Sequence, residues 1–386
     1  MKHVFGGALL VAGTSIGAGM LALPVVTAAG GFLPAFFVYL LCWAFMTCTG
    51  LLLLELCLKL PPDANLVTMA TTYLGLTGKV LAWILYMFLF YCLSVAYISG
   101  GGGLLQGWIG GEIWVSQLSF MVVLAFFVVM GAKMVDRLNL VLMAGLILTY
   151  IIFVVLGLPK VEFSRLSASS WSSSLVALPV IFTSFSYQGI IPSLTTYLKR
   201  DARKIRMAIL GGTSLAFTIY LLWEFLILGI VSLEDLMVAK ELGQTAVAPL
   251  KGAVLSSMIV TVGHAFAFFA ITTSFLGVTL GLFDFLADSL KIPKKGVRKL
   301  FLAFLTFIPP SLISLINPTA FITALVFAGG IGCALLLGLL PTIMVWMARY
   351  RHEGHDGPVQ LFGGKWTLSA LLVFVLFELL LEFGMK

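Results

Sequence analysis

At 386 residues, 61% hydrophobic and 10% charged, the chain is far more apolar than soluble domains, which run about 45–50% apolar and about 25% charged. That excludes a soluble fold, and the longest stretches between apolar runs, 158–172, 233–252 and 349–365, are too short to hold a soluble domain. The formal charge of +7 raises nucleic acid as a partner, but the basic residues fall between the apolar runs and report membrane topology instead.

A membrane-crossing helix needs about 20 mainly apolar residues. Such segments occur near 5–27, 32–58, 78–105, 114–132, 138–157, 173–198, 207–232, 253–286, 299–316, 319–348 and 366–384, which predicts an all-α membrane protein of about eleven transmembrane helices. The first run continues to Pro24 through internal glycines with no Ala-x-Ala cleavage site after it, so it reads as a span and not as a signal peptide. The five cysteines, Cys42, Cys48, Cys57, Cys92 and Cys333, lie inside apolar runs without paired spacing, and read as small helix residues.

With a cytoplasmic N-terminus, eighteen of the 23 basic residues fall inside, including the clusters at 199–206 and 291–299. Lys160, Arg165, Lys240, Lys251 and Lys386 fall outside. This is the positive-inside bias, and it predicts N-in and C-out.

Unwound backbone at membrane depth survives only where it faces protein, water or a ligand. The first span contains Gly13-Thr14-Ser15-Ile16-Gly17-Ala18-Gly19 with Pro24 beyond it, and the sixth contains Thr183-Ser184-Phe185-Ser186-Tyr187-Gln188-Gly189 between Pro179 and Pro192. These breaks correspond if residues 1–157 carry spans one to five and 173–348 carry spans six to ten, with an outer loop at 158–172 and a loop plus an eleventh span at 349–386. Five spans per half invert the second half, which is the pattern of a secondary transporter with its site at the midplane. A substrate carboxylate is expected against the amides of Gly17, Ala18 and Gly19, and an ammonium or Na+ near the carbonyls of Ala12, Gly13 and Phe182. Gly100 to Gly103, Gly277-x-x-x-Gly281 and Gly329-Gly330 read as packing glycines. Gly17-x-Gly19 lacks the preceding strand and the following acid of a nucleotide loop.

The run Ala12 to Pro24, preceded by Gly6-Gly7, resembles the first-helix signature of the hydroxy and aromatic amino acid permeases. The stretches Leu178 to Phe185 and Ile191-Pro192-Ser193-Leu194 resemble the sixth helix of the same family, the bacterial tyrosine and tryptophan permeases above all. The resemblance implies a leucine-transporter-type fold, a bacterial inner-membrane location and import of an aromatic amino acid, tyrosine favoured, coupled to H+. No cofactor and no obligate protein partner are expected, leaving the amino acid, H+ or Na+, and the lipid bilayer as partners. Where the family usually shows a Gly-Phe-His type of sequence, this chain has Ser186-Tyr187-Gln188, so a histidine gives way to the non-titrating Gln188.

Ionisable residues at membrane depth are costly and become functional candidates. Glu55 is expected to pair with Lys59 or to act in gating or proton coupling, and Glu224 and His264 are candidates for a proton relay. Thr272-Thr273-Ser274 resembles the hydroxyls that hold Na+ with first-helix carbonyls in sodium-coupled relatives, which makes Ala12, Thr272 and Thr273 the candidate Na+ ligands. The fifth span, Leu138 to Gly157, has no lysine to stand in for sodium as in some proton-coupled relatives. Phe90, Tyr91 and Ser94 on the third span, with Phe182, Thr183 and Tyr187 on the sixth, are candidates for the substrate pocket. A channel would need like residues ringing a pore, and a membrane enzyme would need clustered acids, histidines or metal ligands; the chain carries neither.

Overall fold

The structure is a computed structural model that describes residues 2–384 apart from Asp63, Ala168, Leu255 and residues 352–357. Lys386, one of the basic residues expected outside, and the centre of the 349–365 loop therefore lie outside the described residues.

Helix α1 (Lys2–Ser15) stops where the Gly13 to Gly19 run begins to unwind. Gly17 is extended, a 3-10 turn follows at Ala18–Leu21, and α2 (Leu23–Thr27) starts with Pro24 in its first turn, where the missing N–H costs no bond. The same construction recurs in the sixth span. There α8 (Leu178–Ser184) and α9 (Ile191–Tyr197) each open on a proline, and a 3-10 turn at Gln188–Ile190 separates them. These are the two divided spans.

Nine further helices are long and apolar enough to cross a membrane among the described residues. They comprise α3 (Phe32–Lys59), α4 (Leu66–Ile109), α5 (Ile113–Met130), α6 (Ala132–Gly157), and, after the short helix α7 (Trp171–Leu175), α10 (Ala202–Ile230). Two short helices, α11 (Leu233–Glu241) and α12 (Leu250–Ala253), follow, and then α13 (Ser257–Ser289) and α14 (Gly296–Ile316). The tenth span joins α15 (Ala320–Phe327), a π-helical segment (Ala328–Leu339) and α16 (Leu340–Tyr350), and α17 (Gly364–Gly384) is last. Nine unbroken and two divided spans account for the eleven expected, and the divided ones are those whose centres carry glycine, hydroxyls and proline.

Local sequence sets several ends. Asn65 caps α4 by accepting from Thr68 N, and Gly75 kinks it at a positive φ of 68°, so a short helix precedes the third span. Asp201 caps α10 by accepting from Lys204 N at 3.1 Å, and the Lys204 side chain holds its carboxyl below the usual carboxylate value. One departure from expectation is the tenth span, whose π segment begins at the Gly329-Gly330 pair read as simple packing. Gly329 does pack closely, since a Cβ there would lie 1.6 Å from the Pro179 carbonyl oxygen. Gly100, Gly101 and Gly102 likewise meet Phe321, Phe120 and Gln117.

Candidate functional site

Between the two breaks lies a cavity of about 550 Å³, within the range of small-molecule pockets. Its wall is built from Gly13 and Thr14 of α1, Tyr86, Phe90 and Tyr97 of α4, and Asn139 and Met143 of α6. Ser186 to Ile190 of the sixth-span break, Thr273, Ser274 and Gly277 of α13, and Leu336 and Leu337 of the π segment complete it. Leu9 and Leu10 at its mouth are exposed, so the cavity opens toward the face on which the chain begins. The opposite side is closed. Ala18 to Leu23 are fully buried, Ala246 N of the α11–α12 connection donates to Leu21 O at 2.8 Å, and Phe182 stacks flat on Phe45 at 5.2 Å.

The breaks are held by bonds that span the chain. The Ala18 amide donates to Ser274 Oγ at 3.1 Å, so one of the three amides expected to receive a carboxylate is already served by a hydroxyl. A Cβ at Gly17 would lie 2.2 Å from Ser274 Oγ and displace the hydroxyl that receives the Ala18 amide, and a Cβ at Gly19 would lie 2.8 Å from Ser184 Oγ and 3.1 Å from Ser184 Cα. Tyr220 Oη of α10 lies 2.5 Å from Ser15 O and 2.6 Å from Ser184 O, bridging the ends of α1 and α8.

Of the residues expected at the site, Gly13, Thr14, Ser186, Tyr187, Gln188 and Thr273 reach the cavity wall. Ser15, Gly17, Ala18 and Gly19 form the closed shoulder behind it. Gln188 is a brace: its amide nitrogen donates to Met46 O at 3.2 Å and Thr49 Oγ1 at 3.1 Å, and its oxygen accepts from Tyr187 N at 2.9 Å. Such a neutral amide holds the break to α3 by donating and accepting at once.

Three expectations are corrected. Phe182 is packed between Phe45 and Phe374 and does not line the cavity. Thr183 donates to Leu325 O at 2.9 Å, and so ties α8 to α15. Tyr91 points away from the cavity and donates to Leu305 O of α14 at 2.8 Å, because one helical position separates it from the cavity-facing Phe90. Tyr91→Phe is therefore expected to lower stability by about 1 kcal/mol while leaving uptake within about twofold of wild type; thermal unfolding and uptake assays check this, and a selective loss of substrate affinity would contradict it.

The ion candidates also disperse. Ala12 O accepts from Ile16 N at 2.8 Å within the first span, Thr273 bonds back to Phe269 O and Ala270 O, and buried Thr272 is not on the cavity wall. Glu55 is clamped by Arg349, Nε to Oε1 at 2.8 Å and Nη2 to Oε2 at 2.6 Å, with the Gln360 amide at 3.0 Å; the expected partner Lys59 stands at 3.6 Å. His264 Nδ1 bonds Val260 O of its own helix at 2.9 Å. Glu224 instead contacts Thr27 Oγ1 of α2 and accepts from Tyr39 Oη of α3, so the relay between the two is not formed. Sequence reasoning did not single out Tyr86, Tyr97, Asn139 or Met143. Their signal would have been the side each presents once α4 and α6 are placed around the breaks.

Nine long apolar helices and two divided ones, with a cavity beside both divisions, make an all-helical membrane protein of the leucine-transporter-type fold. The structure of MhsT in complex with L-phenylalanine superposes with a TM-score of 0.66 at 17% identity, covering 98% of this chain and 97% of that one. A model of the tryptophan/tyrosine permease family matches residues 1–382. The chain is 36% identical to the tyrosine-specific transport system 1 of Haemophilus influenzae, across 97% of this chain and 94% of the relative. It is 30% identical to the tryptophan-specific transport protein of the same organism, across 99% and 96%. The chain belongs to the tryptophan/tyrosine permease family.

Proposed function

We propose that the protein is a secondary active transporter that imports an aromatic amino acid, tyrosine foremost, together with H+, by alternating access across a bacterial inner membrane. The carrying observation is the cavity between the two broken spans, open to one face and closed to the other. Tyr86, Phe90 and Tyr187 offer aromatic faces to a ring, while the first-span break and Ser274 offer polar groups to its amino and carboxyl ends. The tyrosine- and tryptophan-specific names of relatives at 36% and 30% identity support this substrate class. With the N-terminus cytoplasmic, as the basic residues favour, the open face is cytoplasmic and the conformation is one of release. Residues 1–157 and 173–348 are proposed as the inverted halves, with α17 an addition to them.

A second reading, Na+ coupling, is favoured by the Thr273 and Ser274 hydroxyls on the wall beside the end of α1. Both readings are tested by uptake of labelled tyrosine, tryptophan, phenylalanine and serine into proteoliposomes under separate pH and Na+ gradients. Tyrosine accumulation under the pH gradient alone is the expected result. Accumulation under Na+ alone would select the second reading, and accumulation of none of the four would remove the amino acid assignment.

A further inference from the structure

Glu224 lies in the half of α10 away from the cavity mouth, with no exposed surface, and no lysine, arginine or histidine pairs with it among the described residues. Its carboxyl joins three elements. Oε2 accepts from Tyr39 Oη of α3 at 2.7 Å, and Oε1 contacts Thr27 Oγ1 of α2. Thr27 Oγ1 also bonds Leu23 O at 2.7 Å, one turn back in α2.

Hydrogens can be counted across this chain of contacts. A threonine hydroxyl has one hydrogen and a carbonyl has none. Thr27 Oγ1 stands against both Leu23 O and Glu224 Oε1 with one hydrogen to give, so the two contacts each hold a hydrogen of their own only when the carboxyl supplies the second. A second observation points the same way: a buried carboxylate with no cation partner is far more costly than a neutral acid.

We infer that Glu224 is the proton-carrying group of the transport cycle, protonated in the conformation whose cavity opens on the chain's starting face. This rests on the proton-coupled reading above and names the residue within it. Loss of the proton changes the bonding of the first-span break. The carboxylate then needs a donor at Oε1, Thr27 turns its hydrogen from Leu23 O to Glu224, and α2 loses a bond inside its single turn and a half. Because α2 is the far half of the divided first span, the ionisation state reaches the element that closes the cavity's far side. Tyr220, four residues before Glu224 on the same face of α10, holds the other side of that break.

The titratable groups on elements packed around this site all have other positions or partners. Tyr150 of α6 donates to Ile219 O, Arg165 pairs with Glu162 at 2.8 Å on the outer connection that also carries Lys160, and His264 of α13 bonds Val260 O. On α11, which contacts α2, Asp235 bonds the Ser232 cap, and Glu234, Lys240 and Glu241 are not bonded to Glu224.

The test is Glu224→Gln, whose amide reproduces the shape and one donor of the neutral acid. In proteoliposomes the variant is expected to exchange tyrosine across equal concentrations within about twofold of wild type, to lose pH-gradient accumulation by tenfold or more, and to show no substrate-triggered proton uptake. Wild-type accumulation and proton uptake in Glu224→Gln overturn the inference. Should that variant fail to fold, Tyr39→Phe decides. Tyr39 Oη is a donor that steadies an ionised Glu224, so its removal is expected to shift the alkaline limit of gradient-driven uptake to higher pH; an unmoved limit overturns the inference. If the wild type carries no aromatic amino acid, the substrate reading fails separately. The infrared difference between wild type and Glu224→Gln at neutral pH then decides, by containing or lacking a neutral carboxyl band.

Discussion

Gly329→Ala is expected to cost about 3 kcal/mol or more, the upper end of overpacking effects, and to abolish uptake. The added methyl would stand 1.6 Å from Pro179 O and 2.5 Å from its carbonyl carbon. Both are backbone atoms at the start of α8, so no rotamer change clears the space, and α8 or the π segment must move. Both elements bear on function: α8 leads into the sixth-span break, and the far end of the π segment supplies Leu336 and Leu337 to the cavity. The control is Gly103→Ala, where a Cβ meets nothing within 4 Å and replacement of a helical glycine is neutral or stabilising. Thermal unfolding in detergent and uptake in proteoliposomes measure both, and equal behaviour of the two variants would refute the steric account.

Arg349→Gln is expected to cost about 3 kcal/mol, because removing one partner of a buried ion pair leaves the other charge poorly compensated. Glu55 has no exposed surface, and the guanidinium grips both its oxygens while a second donation from Nη2 reaches Leu361 O at 2.9 Å. The clamp therefore joins α3, α16 and the loop before α17 on the face where the cavity opens. Lys59 at 3.6 Å moderates the loss without matching two-point geometry, and Arg349→Lys is expected to recover less than half of it. The double variant Glu55→Gln with Arg349→Gln is expected to cost less than the sum of the single changes, since it leaves no unpaired charge. Midpoint shifts in thermal unfolding read this, and additive effects would show that the pair acts as two independent contacts.

What could be read from the sequence was local. The divided spans were legible because glycine, hydroxyl residues and proline weaken a helix where they stand, and two such runs at mid-span are rare in so apolar a chain. The i,i+4 pair of Glu55 with Lys59 was legible, but the other partners come from remote positions: Arg349 is 294 residues from Glu55, and Ser274 is 256 from Ala18. Lys59 was the nearer choice in sequence, but it is Arg349 whose planar fork matches a carboxylate. Side-chain direction was equally hidden on the uniformly apolar third span. Tyr91 and Phe90 are both pocket candidates by sequence, yet the Tyr91 hydroxyl is satisfied by Leu305 O, while neighbouring Phe90 faces the cavity. Gln188 was legible as a departure from the family pattern, but its bracing of the break to α3 depends on Met46 and Thr49 standing opposite.

The Tyr220 hydroxyl carries one hydrogen and faces two carbonyl oxygens at nearly equal range, Ser15 O and Ser184 O. At any instant one of them goes without, and moving the hydrogen from one to the other exchanges like for like. The tether thus holds the two divided spans to a common point without favouring either.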